Sequence, residues 1–205
     1  MYENYYITGY FYDINYRKIL EIKLKNSLKS KPDLIVIMMN PGGSRQKNHM
    51  IENSFVETIP DKTQNQIIEV MCRTGKDFAR ILNLSDYRCS KSSEFLKKLK
   101  KLEETHSIFC DKRIDDIKEN LIDGVPIILA WGVDYRLRFL AEKAYKRILE
   151  IVPNSIIVND KHHRYEYAFR HPLPRTNKLK YEWVNNISNA LGQLAQVKKS
   201  KSTLK

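Results

Sequence analysis

The sequence predicts an α/β domain: a three-layer α/β/α arrangement around a central, mostly parallel four-stranded sheet, preceded by a β-hairpin. Three observations predict it. Four short apolar runs, at 34–39, 81–84, 127–132 and 155–158, are bounded by proline, glycine or polar turn residues, as strands buried on both faces are. Stretches with apolar residues at helical spacing separate and follow them. Strand–helix alternation of this kind specifies an open parallel sheet with helices on both faces.

In order along the chain, residues 4–12 are aromatic and β-branched and read as a strand; 13–16 make a turn, and 17–25 return as a second strand. The lysine-rich stretch 25–33 reads as a linker. The run Leu34–Met39 is the first buried strand, stopped by Asn40-Pro41-Gly42-Gly43. Residues 44–60 read as a polar loop, and 62–79 as a helix interrupted at Gly75. The strand at 81–84 leads into a polar stretch, then helical segments at 94–102 and 111–122. The strand ending in Ala130-Trp131-Gly132 precedes a helix over 134–151, the fourth strand at 155–158, a loop rich in His, Arg and Tyr, and a last helix over about 178–195. The domain organisation is therefore a hairpin and linker (1–30) packed on a main domain (31–196), followed by a disordered basic tail (197–205).

Composition narrows the function classes. The chain has 205 residues, 42% of them hydrophobic, enough for one real core. No apolar run approaches the ~18 residues of a membrane span. The N-terminus lacks the basic start and apolar centre of a secretory signal, so a cytoplasmic location and no membrane partner are expected. The three cysteines, Cys72, Cys89 and Cys110, form no C-x-x-C pair, and no histidine pattern suits a metal, so neither a metal nor a cofactor is expected. The net charge is +12, and still +8 without the four lysines of the tail, which favours a polyanionic partner.

In open parallel sheets the ligand site lies beyond the carboxyl ends of the strands. The first such loop offers Asn40 at the strand tip, Pro41 fixing the turn, Gly42 and Gly43 whose backbone N–H groups can approach a ligand, then Ser44 and Arg45. The second offers Asn83, whose carboxamide can read a base edge or satisfy local backbone, followed by Tyr87 as a stacking face and Arg88 as a cation. The last offers Arg170, His171, Pro172 and Arg175: a stiff loop in which the histidine can donate to a developing anion and the arginines suit phosphates. The phosphate-loop and dinucleotide glycine fingerprints are absent.

Taken together, N-P-G-G-S at 40–44, N-L-S-D-Y-R at 83–88, A-W-G at 130–132 and H-P-L-P at 171–174 resemble the uracil-DNA glycosylase superfamily. Within it the likeness is closer to a bacterial group, domain-of-unknown-function family 1643, and spans about residues 33–190. The resemblance implies that Asn40 positions a water and that His171 stands near the leaving base, both as catalytic residues, with Asn83 reading the base. Pro41, Gly42, Gly43, Ser44, Tyr87 and Arg88 would complete the substrate site. Arg45, Arg170, Pro172 and Arg175 would hold DNA, single- or double-stranded. The expected function is a DNA glycosylase-like protein hydrolysing the N-glycosidic bond of a flipped base. The alternatives are an inactive nucleic-acid-binding module on the same fold, or a nucleoside- or nucleotide-processing enzyme.

Overall fold

A computed structural model of the protein describes residues 2–47 and 53–202. The strands are β1 (Tyr5–Asp13), β2 (Tyr16–Leu24), β3 (Leu34–Met38), β4 (Arg45–Gln46), β5 (Ser54–Ile59), β6 (Phe78–Asn83), β7 (Ile127–Leu129) and β8 (Ile157–Asn159). The helices are α1 (Lys62–Thr74), α2 (Ser92–Lys98), α3 (Ile114–Asn120), α4 (Arg138–Ile151) and α5 (Asn177–Ser202). None of the described helices is long and apolar enough to cross a membrane.

The sheet corrects the expected fold. It is an eight-stranded mixed sheet in the order β4-β5-β1-β2-β6-β3-β7-β8, not a mostly parallel sheet of four. Four of its seven pairings are antiparallel. The N-terminal hairpin hydrogen-bonds edge-on to β6, with Leu20 opposite Ile81 and Ile22 opposite Ala79, so it extends the sheet. Within 44–60, read as a loop, Ser54–Ile59 pairs with β1 and Arg45–Gln46 with β5. Residues 48–52 of that segment lie outside the described residues. Helix α5 continues through residues read as a disordered tail as far as Ser202, and 203–205 lie outside the described residues.

Two cores flank the sheet. On one face, Ile67, Ile68, Val70 and Met71 of α1 and Trp183, Val184 and Ile187 of α5 cover Leu34, Val36 and Met38 of β3. On the other, Phe95 of α2, Ile117 of α3 and Ala141, Ala144 and Ile148 of α4 cover Ile35 and Ile37 of the same strand. Burial on both faces explains why β3 is an unbroken apolar run. Local chemistry sets the ends of α1: Asp61 and Gln64 form a reciprocal capping box at its start, and Gly75, at φ 63°, closes it in the left-handed conformation.

The parallel half, β6-β3-β7-β8, positions the site. From β3 the chain crosses to β6 through α1 on one face; from β6 it crosses to β7 through α2 and α3 on the other. The strand order therefore reverses at β3 and β7, which leaves a crevice beyond their carboxyl ends.

The same rim holds a buried ion pair. Asp86 is wholly buried and accepts from Arg113 Nη1 at 2.6 Å and from the Tyr12 hydroxyl at 3.3 Å. Arg113 also donates to Asp116, which pairs with Lys18 of β2 at 2.7 Å. Burial pushes the Asp86 carboxyl up, against the pull of Arg113. Removing one partner of such a pair strands the other, so Arg113→Ala should cost about 3–5 kcal/mol in chemical denaturation. Adding Asp86→Asn should restore part of the loss; a cost below ~1 kcal/mol for the single variant would refute the assignment.

Candidate functional site

A cleft of about 610 Å³ occupies the crevice at the switch point. The loop after β3 forms one wall, the loop after β7 another, and the N-terminus of α1 a third. Met38, Leu96, Trp131 and Leu137 supply apolar surface; Asn40, Asp61, Asp134, His171 and Arg175 supply the polar groups. The structure thus brings together Asn40, Gly42, Gly43, His171 and Arg175 of the residues singled out in the sequence.

Asn40 is nearly buried, and its Nδ2 donates to the carbonyls of Pro41 at 2.9 Å, Cys89 at 2.9 Å and Tyr87 at 3.3 Å. Cys89 N–H donates in return to the Pro41 carbonyl at 3.0 Å. These bonds tie the loop after β3 to the loop after β6. With Nδ2 committed to backbone, Oδ1 is the atom Asn40 can offer a ligand or a water.

The glycines work differently from the expectation that their N–H groups face a ligand. Gly43 N–H donates to Asp61 Oδ2 at 3.0 Å. A Cβ on Gly42 would sit 2.7 Å from that same oxygen, so only glycine admits the carboxylate there. Asp61 Oδ1 meanwhile accepts from Thr63 N–H at 2.8 Å as the cap of α1. Asp61 is a cleft residue that the sequence alone does not single out. Its local signal, Asp-x-x-Gln ahead of an apolar helix, was present, but only the tertiary fold puts the cap in the cleft.

His171 Nδ1 accepts from Leu173 N–H at 3.1 Å. The ring therefore carries its proton on Nε2. Burial pushes the imidazole down to about 4, against the opposing charge of Asp61, so it is neutral at pH 7. A neutral ring with Nε2–H is a hydrogen-bond donor that brings no full charge. Trp131 is structural: its Nε1 donates to the Tyr167 carbonyl at 2.7 Å, and its ring packs on Phe169.

Other expected site residues lie elsewhere. Asn83 is wholly buried at the end of β6, shares a sheet face with Ile81 and does not line the cleft. Arg88 clamps the hairpin turn, donating to the carbonyls of Ile14 and Ser44. Tyr87 packs edge-on against Tyr16 and accepts from Lys98. Ser44, Pro41 and Pro172 are buried, and Arg45 is exposed on β4. Arg170 and Arg175 line an adjoining groove of about 460 Å³ that shares Gly132, Val133, His171 and Arg175 with the cleft. Arg170 stands 3.7 Å from Asp160. Among the described residues no group of three or more His, Cys, Asp or Glu is placed to hold a metal ion.

Two outcomes follow. Asn40→Asp turns a donor into an oxygen facing three carbonyls; it should destabilise the fold by about 1–3 kcal/mol in denaturant titration, and an unchanged midpoint would contradict the bonding described. The depressed His171 pKa means that the unfolded chain takes up a proton that the folded chain refuses. Stability should therefore fall as pH drops from about 6.5 toward about 4. His171→Gln should flatten that part of a Tm-versus-pH curve; an identical slope would show that the histidine is not the group responsible.

Residues 22–173 match the family model DUF1643, described as a protein of unknown function. No curated protein matches the chain. No solved structure matches it either. The match covers well over half of the sequence, and the chain belongs to the DUF1643 family.

Proposed function

We propose that this chain is a uracil-DNA glycosylase-like protein that binds DNA and hydrolyses the N-glycosidic bond of a base turned out of the helix into the cleft. The observation that carries the reading is that Asn40 and a neutral, Nε2-protonated His171 line one cleft of about 610 Å³ at the switch point of the sheet. A base inside a duplex stack is unreachable, so it must enter such a cavity. Breaking the C1′–N bond leaves its electron pair on the base and an oxocarbenium-like sugar. His171 Nε2–H stabilises the departing base anion. Asn40 Oδ1 accepts a hydrogen bond from the water that adds at C1′. An amide cannot take that water's proton at neutral pH, so in this reading the proton goes to Asp61, which lines the same cleft. Arg170 and Arg175, which line the adjoining groove, are the cations that would hold backbone phosphates in this reading. A cytoplasmic location accords with three free cysteines.

A second reading, a DNA-binding module without chemistry, is favoured by one observation: Asn83, assigned to reading the base, is buried outside the cleft. One assay separates the two. Oligonucleotides carrying uracil, thymine mismatches and modified pyrimidines are incubated with wild type, Asn40→Ala, Asp61→Asn and His171→Ala, and base release is measured. Release by wild type, reduced ~10²-fold or more in His171→Ala, supports hydrolysis. No release from any substrate, with salt-sensitive binding retained, leaves the module and sinks the enzyme.

A further inference from the structure

A second pocket, of about 520 Å³, opens beside the hairpin, outside the cleft. Tyr10, Tyr12, Tyr16 and Lys18 form one wall; His106, Arg113 and Asp116 face them. Tyr12 and Tyr16 are stacked at 5.5 Å with planes 22° apart. Lys18 lies over the Tyr10 ring at 4.9 Å and Arg113 over that of Tyr12 at 5.8 Å, so a cation covers one face of each, and Tyr16, with no cation over it among the described residues, is the ring left for stacking. Tyr87 links the two pockets: its carbonyl accepts from Asn40 in the cleft, and its ring meets Tyr16 here.

The charges decide the ligand class. Lys18 and Arg113 are both paired to Asp116, at 2.7 and 2.6 Å, and Arg113 also to Asp86. Glu103 adds a further negative group to the lining. A phosphate would find its cations already engaged and two carboxylates nearby. A hydrocarbon would cover tyrosyl hydroxyls, an imidazole and the ion pairs without replacing their hydrogen bonds with water. A flat, uncharged ring with polar edges suits the aromatic wall and the polar rim together.

We infer that this pocket is a second nucleobase-binding site, formed by the hairpin tyrosines and distinct from the cleft. The base comes from a single-stranded stretch of nucleic acid or from a free nucleoside. The strand source rests on the nucleic-acid reading above; the pocket itself does not depend on hydrolysis.

The test uses the whole chain with three probes: the octamer dT8, free thymidine and free deoxyadenosine. Binding is measured by calorimetry or NMR titration for wild type, Tyr16→Leu and Tyr16→Phe, with circular dichroism confirming the fold. Tyr16→Leu should weaken binding about 10-fold, while Tyr16→Phe, which keeps the ring, should bind as wild type does. Octamer binding without nucleoside binding identifies a strand; the reverse identifies a free nucleoside. Failure of all three probes to bind overturns the inference, as does equal affinity in a folded Tyr16→Leu. If that variant does not fold, photo-cross-linking of an octamer carrying 5-iodouracil to wild type replaces it: adducts on Tyr10, Tyr12 or Tyr16 support the site, and adducts confined to other residues refute it. Base release, followed in the same samples, reports on the cleft separately. Its absence alongside tyrosine-dependent binding removes the hydrolase and leaves this site standing.

Discussion

The cleft depends on one buried amide. Asn40 Nδ2 must find acceptors where water does not reach, and it finds them on Pro41, Tyr87 and Cys89. That requirement draws together two loops separated by 47 residues and fixes one wall of the cleft. The rest follows from the position of the first loop. Once it is held, Gly42 and Gly43 lie against Asp61, and the cap of α1 becomes part of the cleft lining. The carboxylate is then near enough to His171 to oppose, electrostatically, the effect of burial on the ring.

Beneath this rim lies a layer of buried charge. Arg17 is wholly buried on β2, and its guanidinium nitrogens make no hydrogen bond among the described residues. Burial lowers it to about 10, while Asp61 and Asp86 pull the other way. Two features of the hairpin accommodate it. The register passes from Tyr10–Ile19 to Phe11–Arg17 and skips Lys18, a bulge that turns Arg17 to a new face. Gly9 leaves room beside it, since a Cβ there would stand 3.2 Å from the Arg17 Cδ and 2.8 Å from Phe11. Asp61 thus serves three neighbours at once: it caps α1, holds Gly43 and balances Arg17.

The parts legible in the sequence are those that local burial determines. The runs at 34–39, 81–84, 127–132 and 155–158 and the five helical stripes announce β3, β6, β7, β8 and the helices because each has to bury a continuous run or a stripe, but helical spacing read through 62–79 hides the start of β6: Gly75 ends α1, and Phe78 and Ala79 already belong to the strand. The convergence of Asn40 and His171 was readable because both follow parallel strands. Strand β5 was not, since Phe55, Glu57 and Ile59 are exposed and only Thr58 is buried, so no continuous apolar run marks it. The pairing of β2 with β6 was not, because it joins residues about sixty positions apart. Asn83 misled for a reason of parity: two residues beyond Ile81 on the same strand, it faces the core that Ile81 faces. Tyr87 and Arg88 misled because the hairpin, whose turn they clamp, was expected to lie outside the sheet.

The loop after β6 shows how a mixed sheet can hold two pockets at a fixed separation. Its N–H groups donate in succession to different elements: Leu84 and Ser85 to the carbonyls of Met38 and Met39, Asp86 to His106, Arg88 to Asn15 and Cys89 to Pro41. A buried loop has to pair its backbone, and this one does so with the tip of β3, the hairpin turn and the segment before α3. Each of those three contributes to one of the two pockets. Neither pocket can shift against the other without breaking several of these bonds together. The antiparallel half of the sheet therefore does more than lengthen it: by carrying the hairpin to β6, it sets the tyrosine wall at a constant distance from the crevice that the parallel half creates.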